Sequence, residues 1–143
     1  MSETYELEIP GTSEHLPQVF DWVAGVLEKI AVTDPPAYAI TLAVDEVVTN
    51  AVAYAYQESD GKVRIACERE GDTVTITVTD EGRPFDPTKT PPPDIDADLD
   101  HRAVGGLGIF LAKKAMNSII YERRNGKNVL TMVKDVSASP GKE

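Results

Sequence analysis

The chain has 143 residues, of which 41% are hydrophobic and 27% charged, and it carries a formal net charge of −10. That length suits one domain with its own core, and the acidity opposes the counterion release by which basic surfaces hold nucleic acid, so DNA and RNA are set aside as partners. A single cysteine, Cys67, excludes an intrachain disulfide and a cysteine-based zinc site, and with no run of about 18 apolar residues and no signal-like start in "MSETYELEIP" the chain reads as cytoplasmic, away from the membrane.

"TYELEIP" alternates and ends at Pro10, which suits an edge strand because proline cannot donate a ladder hydrogen bond. Thr12 or Ser13 then stands ready to cap a helix whose apolar positions Leu16, Val19, Phe20, Val23, Leu27 and Ile30 follow the helical period. "TDPPAYAI" repeats the start signal, with Thr33 or Asp34 as cap and proline in the first turn, and this second helix is expected to run to about Tyr56.

Beyond it the period changes to two. "KVRIACERE" and "DTVTITVTD" flank Glu70-Gly71-Asp72 as an antiparallel hairpin. The proline-rich stretch 81–104 has no period, and a loop of that length in a small domain is usually functional or mobile. "GGLGIFLAKKAM" opens a third helix, "SIIYERRNGKNVLTMVK" reads as a second hairpin turning at Asn125-Gly126, and residues 137–143 form a frayed tail behind a single domain, 1–136. The order β-α-α-β-β-loop-α-β-β implies an α+β two-layer sandwich: a mixed, mostly antiparallel sheet covered on one face by about three helices.

Three segments could carry chemistry. On the helix that carries "AVDEVVTNAVAYAY", the residues Ile40, Val44, Val47, Val48, Ala51 and Ala55 share one stripe, while Glu46, Asn50 and Tyr54 form another beside it, each about 40° further round. Taken alone, Glu46 and Asn50 also fit a solvated flank. "TDEGRPFDP" puts Asp80 at a strand end, where a carboxylate can accept a hydrogen bond from an exocyclic amine, and Gly82 where a backbone can approach a ligand; an ordinary turn has the same pattern. "GGLGIF" places Gly105, Gly106 and Gly108 at a helix start, where free N–H groups favour a phosphate, or where a hinge enters the helix.

Two other nucleotide fingerprints do not fit, since Leu111 stands where G-x-G-x-x-G wants its last glycine and no G-K-[ST] occurs. "DIDADLD" is not a calcium loop, because counting from Asp94 puts Leu99 at the glycine position and Gly105 at the glutamate position; it reads as a solvated acidic segment. His15 and His101 read as surface residues, and "HRAV" lacks the aspartate and asparagine of a protein-kinase catalytic loop.

In this order and spacing, the segments over residues 35–134 resemble the GHKL ATPase superfamily of gyrase, histidine kinases and MutL. "DEVVTNAVAYAY" looks like its N box, "DEGRPFDP" like its first glycine box and the stretch from "GGLGIF" like its second. The N box is similar above all to that of the small bacterial anti-sigma factor serine kinases of sporulation and stress response, E-x-x-x-N-A-x-x-H-A-Y. Glu46, Asn50, Ala51, Ala55 and Tyr56 match it, with Tyr54 in the histidine position.

The resemblance implies the Bergerat ATP-binding fold, ATP and Mg²⁺ as cofactors, and a role for each matched residue. Glu46 would orient or deprotonate the attacking nucleophile, and Asn50 would offer its carbonyl oxygen to Mg²⁺. Asp80 would read adenine, with Gly82 and Pro84 in the same box, while Gly105, Gly106, Leu107 and Gly108 would hold phosphates and Thr131 would help contact the base. Residues 83–104 would be the ATP lid. The implied activity is phosphorylation of a serine or threonine on an anti-anti-sigma (STAS) protein by a homodimer that also sequesters a sigma factor. A nucleotide-gated binding module without kinase activity is the alternative, kept open by Tyr54 and the acidic lid. A detached histidine-kinase domain is disfavoured, because no long dimerisation helices with a phospho-acceptor histidine are in evidence.

Overall fold

The computed structural model describes residues 3–56, 61–89 and 106–137. In chain order they form β1 (Glu3–Pro10), α1 (Leu16–Lys29), α2 (Pro36–Asn50), β2 (Lys62–Glu70), β3 (Thr73–Asp80), α3 (Gly106–Ala115), β4 (Ser118–Arg124) and β5 (Lys127–Asp135), the order expected from the periodicity. Among the described residues the strands make one sheet ordered β1-β2-β3-β5-β4, and every pairing in it is antiparallel rather than mixed. Pro10 does close an edge strand. Gly71 turns the first hairpin with φ +63°, and Asn125 and Gly126 turn the second with φ +55° and +78°, the pair of positive values that a tight two-residue hairpin loop requires.

The period of two sorts the strands into faces. Ile9, Val63, Ile65, Cys67, Val74, Ile76, Val78, Leu130 and Met132 are buried under Val19, Val23, Val26 and Leu27 of α1, Ile40, Val44, Val47 and Val48 of α2, and Ile109 and Ala112 of α3. The alternate residues, Thr75, Thr77, Thr79, Val129, Thr131 and Val133, are only half-buried on the opposite face of the sheet. The result is two layers with helices on one face. Arg69 helps seat α1 on the sheet: its Nη1 donates to the carbonyl oxygen of Ile30 at 2.6 Å, satisfying an acceptor at the helix C-terminus.

Helix beginnings differ from expectation. A 3₁₀ turn, Ser13–His15, precedes α1, and the Thr12 hydroxyl pairs with the His15 ring at 2.9 Å instead of capping the helix. Neither Thr33 nor Asp34 caps α2 with its side chain; the carbonyls of Thr33 and Pro35 take the first N–H groups, and proline in the first turn removes a donor that would otherwise need a partner. Phe20, assigned to the apolar stripe of α1, is 37% exposed. The second helix is α-helical only to Asn50 and then widens into a π-helical turn, Ala51–Tyr56. Among the described residues no helix is long and apolar enough to cross a membrane.

Ile76 lies in the middle strand and is 1% exposed, so Ile76→Ala should cost about 2–5 kcal/mol in chemical denaturation. Ile120, 58% exposed on β4, should change stability by no more than about 0.5 kcal/mol when cut to alanine. Equal effects would mean that the sheet face beneath the helices is not the core.

Candidate active site

Helix α2 presents Glu46 toward α3. A methyl group built on Gly108 would overlap the carboxyl group and Cγ of Glu46, so the Glu46 side chain lies directly against the α3 backbone in its first turn. Only glycine allows this approach. Gly106 and Leu107 begin that turn, whose leading N–H groups have no partner within the helix and carry the positive end of its dipole. A carboxylate and an anion-attracting helix start thus face each other.

One turn along α2, Asn50 is 4% exposed, and its amide nitrogen is buried with no hydrogen-bond partner among the described residues. Leaving such a group unpaired costs about 1–3 kcal/mol, which marks a position a ligand would satisfy. The π-helical turn starts at the next residue, an irregularity frequent at functional sites.

A second cluster lies at the ends of β3 and β5. Asp80 is 5% exposed, and its Oδ1 accepts from the Gly82 N–H at 2.9 Å and from Asn128 Nδ2 at 2.8 Å. Burial raises its pKa, while the bonds from Asn128 and Gly82 and the charge of Arg123 pull it back down. Asp80 and Asn128 line a slot whose other walls are Val47, Ala51, Val78, Phe85, Pro87, Tyr121 and Leu130. Its cavity is about 20 Å³, room for about one water. That is too small for a flat ring as the slot stands, with Phe85 and Pro87 of the segment after Asp80 among its walls.

The structure therefore sets Glu46 against Gly108 at the start of α3, behind Gly106 and Leu107, with Asn50 one turn further along α2, and places Asp80, bonded by Gly82, at a slot that Val47 and Ala51 of the same helix run also line. Pro84 is exposed on the segment leaving Asp80. Gly105, His101 and most of the expected lid, 90–104, lie outside the described residues, as do the side chains of Tyr54 and Tyr56. Thr131 does not join the site: it sits between buried Leu130 and Met132, so the strand period turns it to the sheet face without helices. The polar group of β5 at the slot is Asn128, which pairs in register with Asp80. "NVLTMV" is apolar in both phases, so its sequence does not say which phase faces inward.

Beside Glu46, Asp45 has one carboxylate oxygen shut off from solvent with no partner among the described residues, and burial with the Glu46 charge raises its pKa to about 6. Nothing in the site uses it.

The model of the histidine kinase-like ATPase domain matches residues 9–134. The serine-protein kinase RsbW of Staphylococcus aureus (strain JH9) is 30% identical over 130 residues, which cover 87% of this chain and 82% of that protein. Among solved structures, the RsbU and RsbW domains of Rv1364c from Mycobacterium tuberculosis superpose with a TM-score of 0.68 at 19% identity; the match covers 96% of this chain but only 33% of that one. The catalytic domain of the histidine kinase ThkA superposes at 0.54 and 17% identity, covering 92% and 96% of the two chains. Both likenesses show the fold.

The raised pKa of Asp45 has a defined sign. The native state holds this proton more tightly than the unfolded chain, whose aspartate titrates near 3.8, so Asp45 withdraws stability as the pH rises from about 4 to about 6, and the loss persists above that. Asp45→Asn should melt at a higher temperature than wild type at pH 7.5, with the gap narrowing as the pH falls through 6 toward 4. A gap independent of pH would show that ionisation of Asp45 is not its source.

Proposed function

The chain belongs to the histidine kinase-like ATPase domain family, and within it to the RsbW-type serine-protein kinases; from that premise we propose that it transfers the γ-phosphoryl group of ATP to a serine or threonine of an anti-anti-sigma protein of the STAS type. When that antagonist is phosphorylated, the chain holds a sigma factor, acting as a cytoplasmic homodimer. The observation that carries the reading is the seating of the Glu46 carboxyl group against Gly108, which sets a potential base beside a helix start suited to phosphates. The N-box spelling supports the choice of partner.

The donor set fits a phosphate chain with Mg²⁺: the buried Asn50 amide nitrogen, without a partner among the described residues, would donate to a phosphate oxygen, its carbonyl oxygen is the atom suited to a hard cation, and Gly108 keeps the backbone of the first turn bare. Bound Mg²⁺ would supply neutralisation of charge on the phosphate oxygens, and the Asn50 carbonyl oxygen would hold it. The N–H groups at Gly106, Leu107 and Gly108 would bind phosphate oxygens, and Asp80 would accept from the adenine amino group between Val47, Ala51, Val78 and Leu130. Glu46 would take the hydroxyl proton as that oxygen bonds to the γ-phosphorus, while the bridge to the β-phosphate breaks and ADP leaves.

By calorimetry, wild type should bind ATP more tightly with Mg²⁺ than without it, and Asn50→Ala should lose that difference. Wild type blind to Mg²⁺ would remove Asn50 from the metal. In transfer assays with labelled ATP and a STAS partner, Glu46→Gln should keep MgATP affinity and lose about 10²- to 10⁴-fold in rate. Gly108→Ala should fold, because the overlap falls on a flexible side chain, yet lose a comparable factor by displacing Glu46. Unchanged transfer in Glu46→Gln would refute the base assignment, and tight MgATP binding with no transfer by wild type would make the chain a nucleotide-gated binder.

A further inference from the structure

Asn128 is buried at 4% exposure and takes more hydrogen bonds than a strand residue needs. Its amide nitrogen donates to Asp80 Oδ1 and to the Arg83 carbonyl oxygen, both at 2.8 Å. Its carbonyl oxygen accepts from the Tyr121 hydroxyl at 2.5 Å, from Arg123 Nη1 at 3.2 Å and from the Phe85 N–H at 3.3 Å. The amide cannot be turned over: its nitrogen would then face the obligate donors Phe85 N–H and Arg123 Nη1, and its oxygen would face two acceptors. Both its hydrogens and its oxygen are committed to protein groups, so it has nothing left to offer a base directly.

We propose that Asn128 is a positioning residue for base choice, acting through Asp80 rather than on the base itself; this rests on the nucleotide reading above. The Asn128 and Gly82 donors both fall on Asp80 Oδ1, so they hold the carboxylate in one orientation and leave Oδ2 to accept from an exocyclic amine. A rotating carboxylate, or one that has lost its donor, discriminates less between a purine with an amine at that position and one with a carbonyl. The same amide ties down Arg83 and Phe85, so the orientation of Asp80 and the position of the slot wall are set together.

The test compares ATP with inosine triphosphate, which has a carbonyl in place of the amine, by calorimetry on wild type, Asn128→Val and Asn128→Thr. Valine and threonine share shape and strand preference and differ in a hydroxyl that can donate to Asp80. Wild type should prefer ATP, Asn128→Val should lose roughly ten- to a hundredfold in ATP affinity with little change for the inosine nucleotide, and Asn128→Thr should recover part of the preference. Thermal melts of the two variants compare folding within the matched pair. An ATP preference equal in valine, threonine and wild-type proteins would overturn the proposal, as would wild type that binds both nucleotides equally. Wild type that binds neither would instead overturn the nucleotide reading on which the proposal rests.

Discussion

Helix α2 must close the core and carry polar groups on the same few turns, and the site depends on that constraint. Val44, Val47 and Val48 are within 3% of full burial, while Glu46 and Asn50, interleaved with them, point round the helix. With 100° between residues, a carboxylate and an amide four apart stand on one edge of the buried stripe, neither in the core nor in open solvent. The helix therefore needs a neighbour along that edge whose surface is backbone rather than side chain. Gly108 in the first turn of α3 provides it. A larger residue there would leave the core intact and remove the place where Glu46 lies.

The second constraint is register. Asp80 closes β3 and Asn128 opens the paired end of β5, so antiparallel pairing sets two polar side chains opposite each other at the helix-covered end of the sheet. Their burial is tolerable because they satisfy one another and the turn that follows, with Gly82, Arg83 and Phe85 drawn into the same network. Asn50 and Asp45, by contrast, each keep a buried atom without a partner among the described residues. The Asp80–Asn128 cluster is thus held by several bonds that leave only Asp80 Oδ2 without one among the described residues, whereas the Asn50 amide nitrogen has none.

The strands, hairpin turns and helix order were legible because each rests on local physics: period two against 3.6, positive φ at Gly71 and at Asn125-Gly126, and proline at an edge. The caps of α1 and α2 were not, because several hydroxyl and carboxylate residues compete near each start and tertiary packing decided that backbone carbonyls and a 3₁₀ turn would serve. The change to a π-helical turn after Asn50 leaves no mark in a run of alanine, valine and tyrosine. In the site, Glu46, Asn50, Asp80 and Gly108 stood out by residue type and spacing. Asn128 stayed hidden, because β5 is apolar in both phases and Thr131 is the polar residue in its middle; only the pairing with β3 shows which phase looks inward.

The two halves of the site share a wall on one helix run. Val47 and Ala51 line the slot of Asp80, and Glu46 and Asn50 are their immediate chain neighbours on α2. The slot is too small for a ring as it stands, and its walls come both from α2, at Val47 and Ala51, and from the segment after Asp80, at Phe85 and Pro87. That segment is held by Asn128 at Arg83 and Phe85 and by Lys113 of α3, whose Nζ donates to the Thr88 carbonyl oxygen at 2.9 Å. Since α3 also bears Gly108, the segment after Asp80 and the Glu46 side chain both rest on that one helix. A helix that served only the core would gain nothing from polar residues at the core's edge.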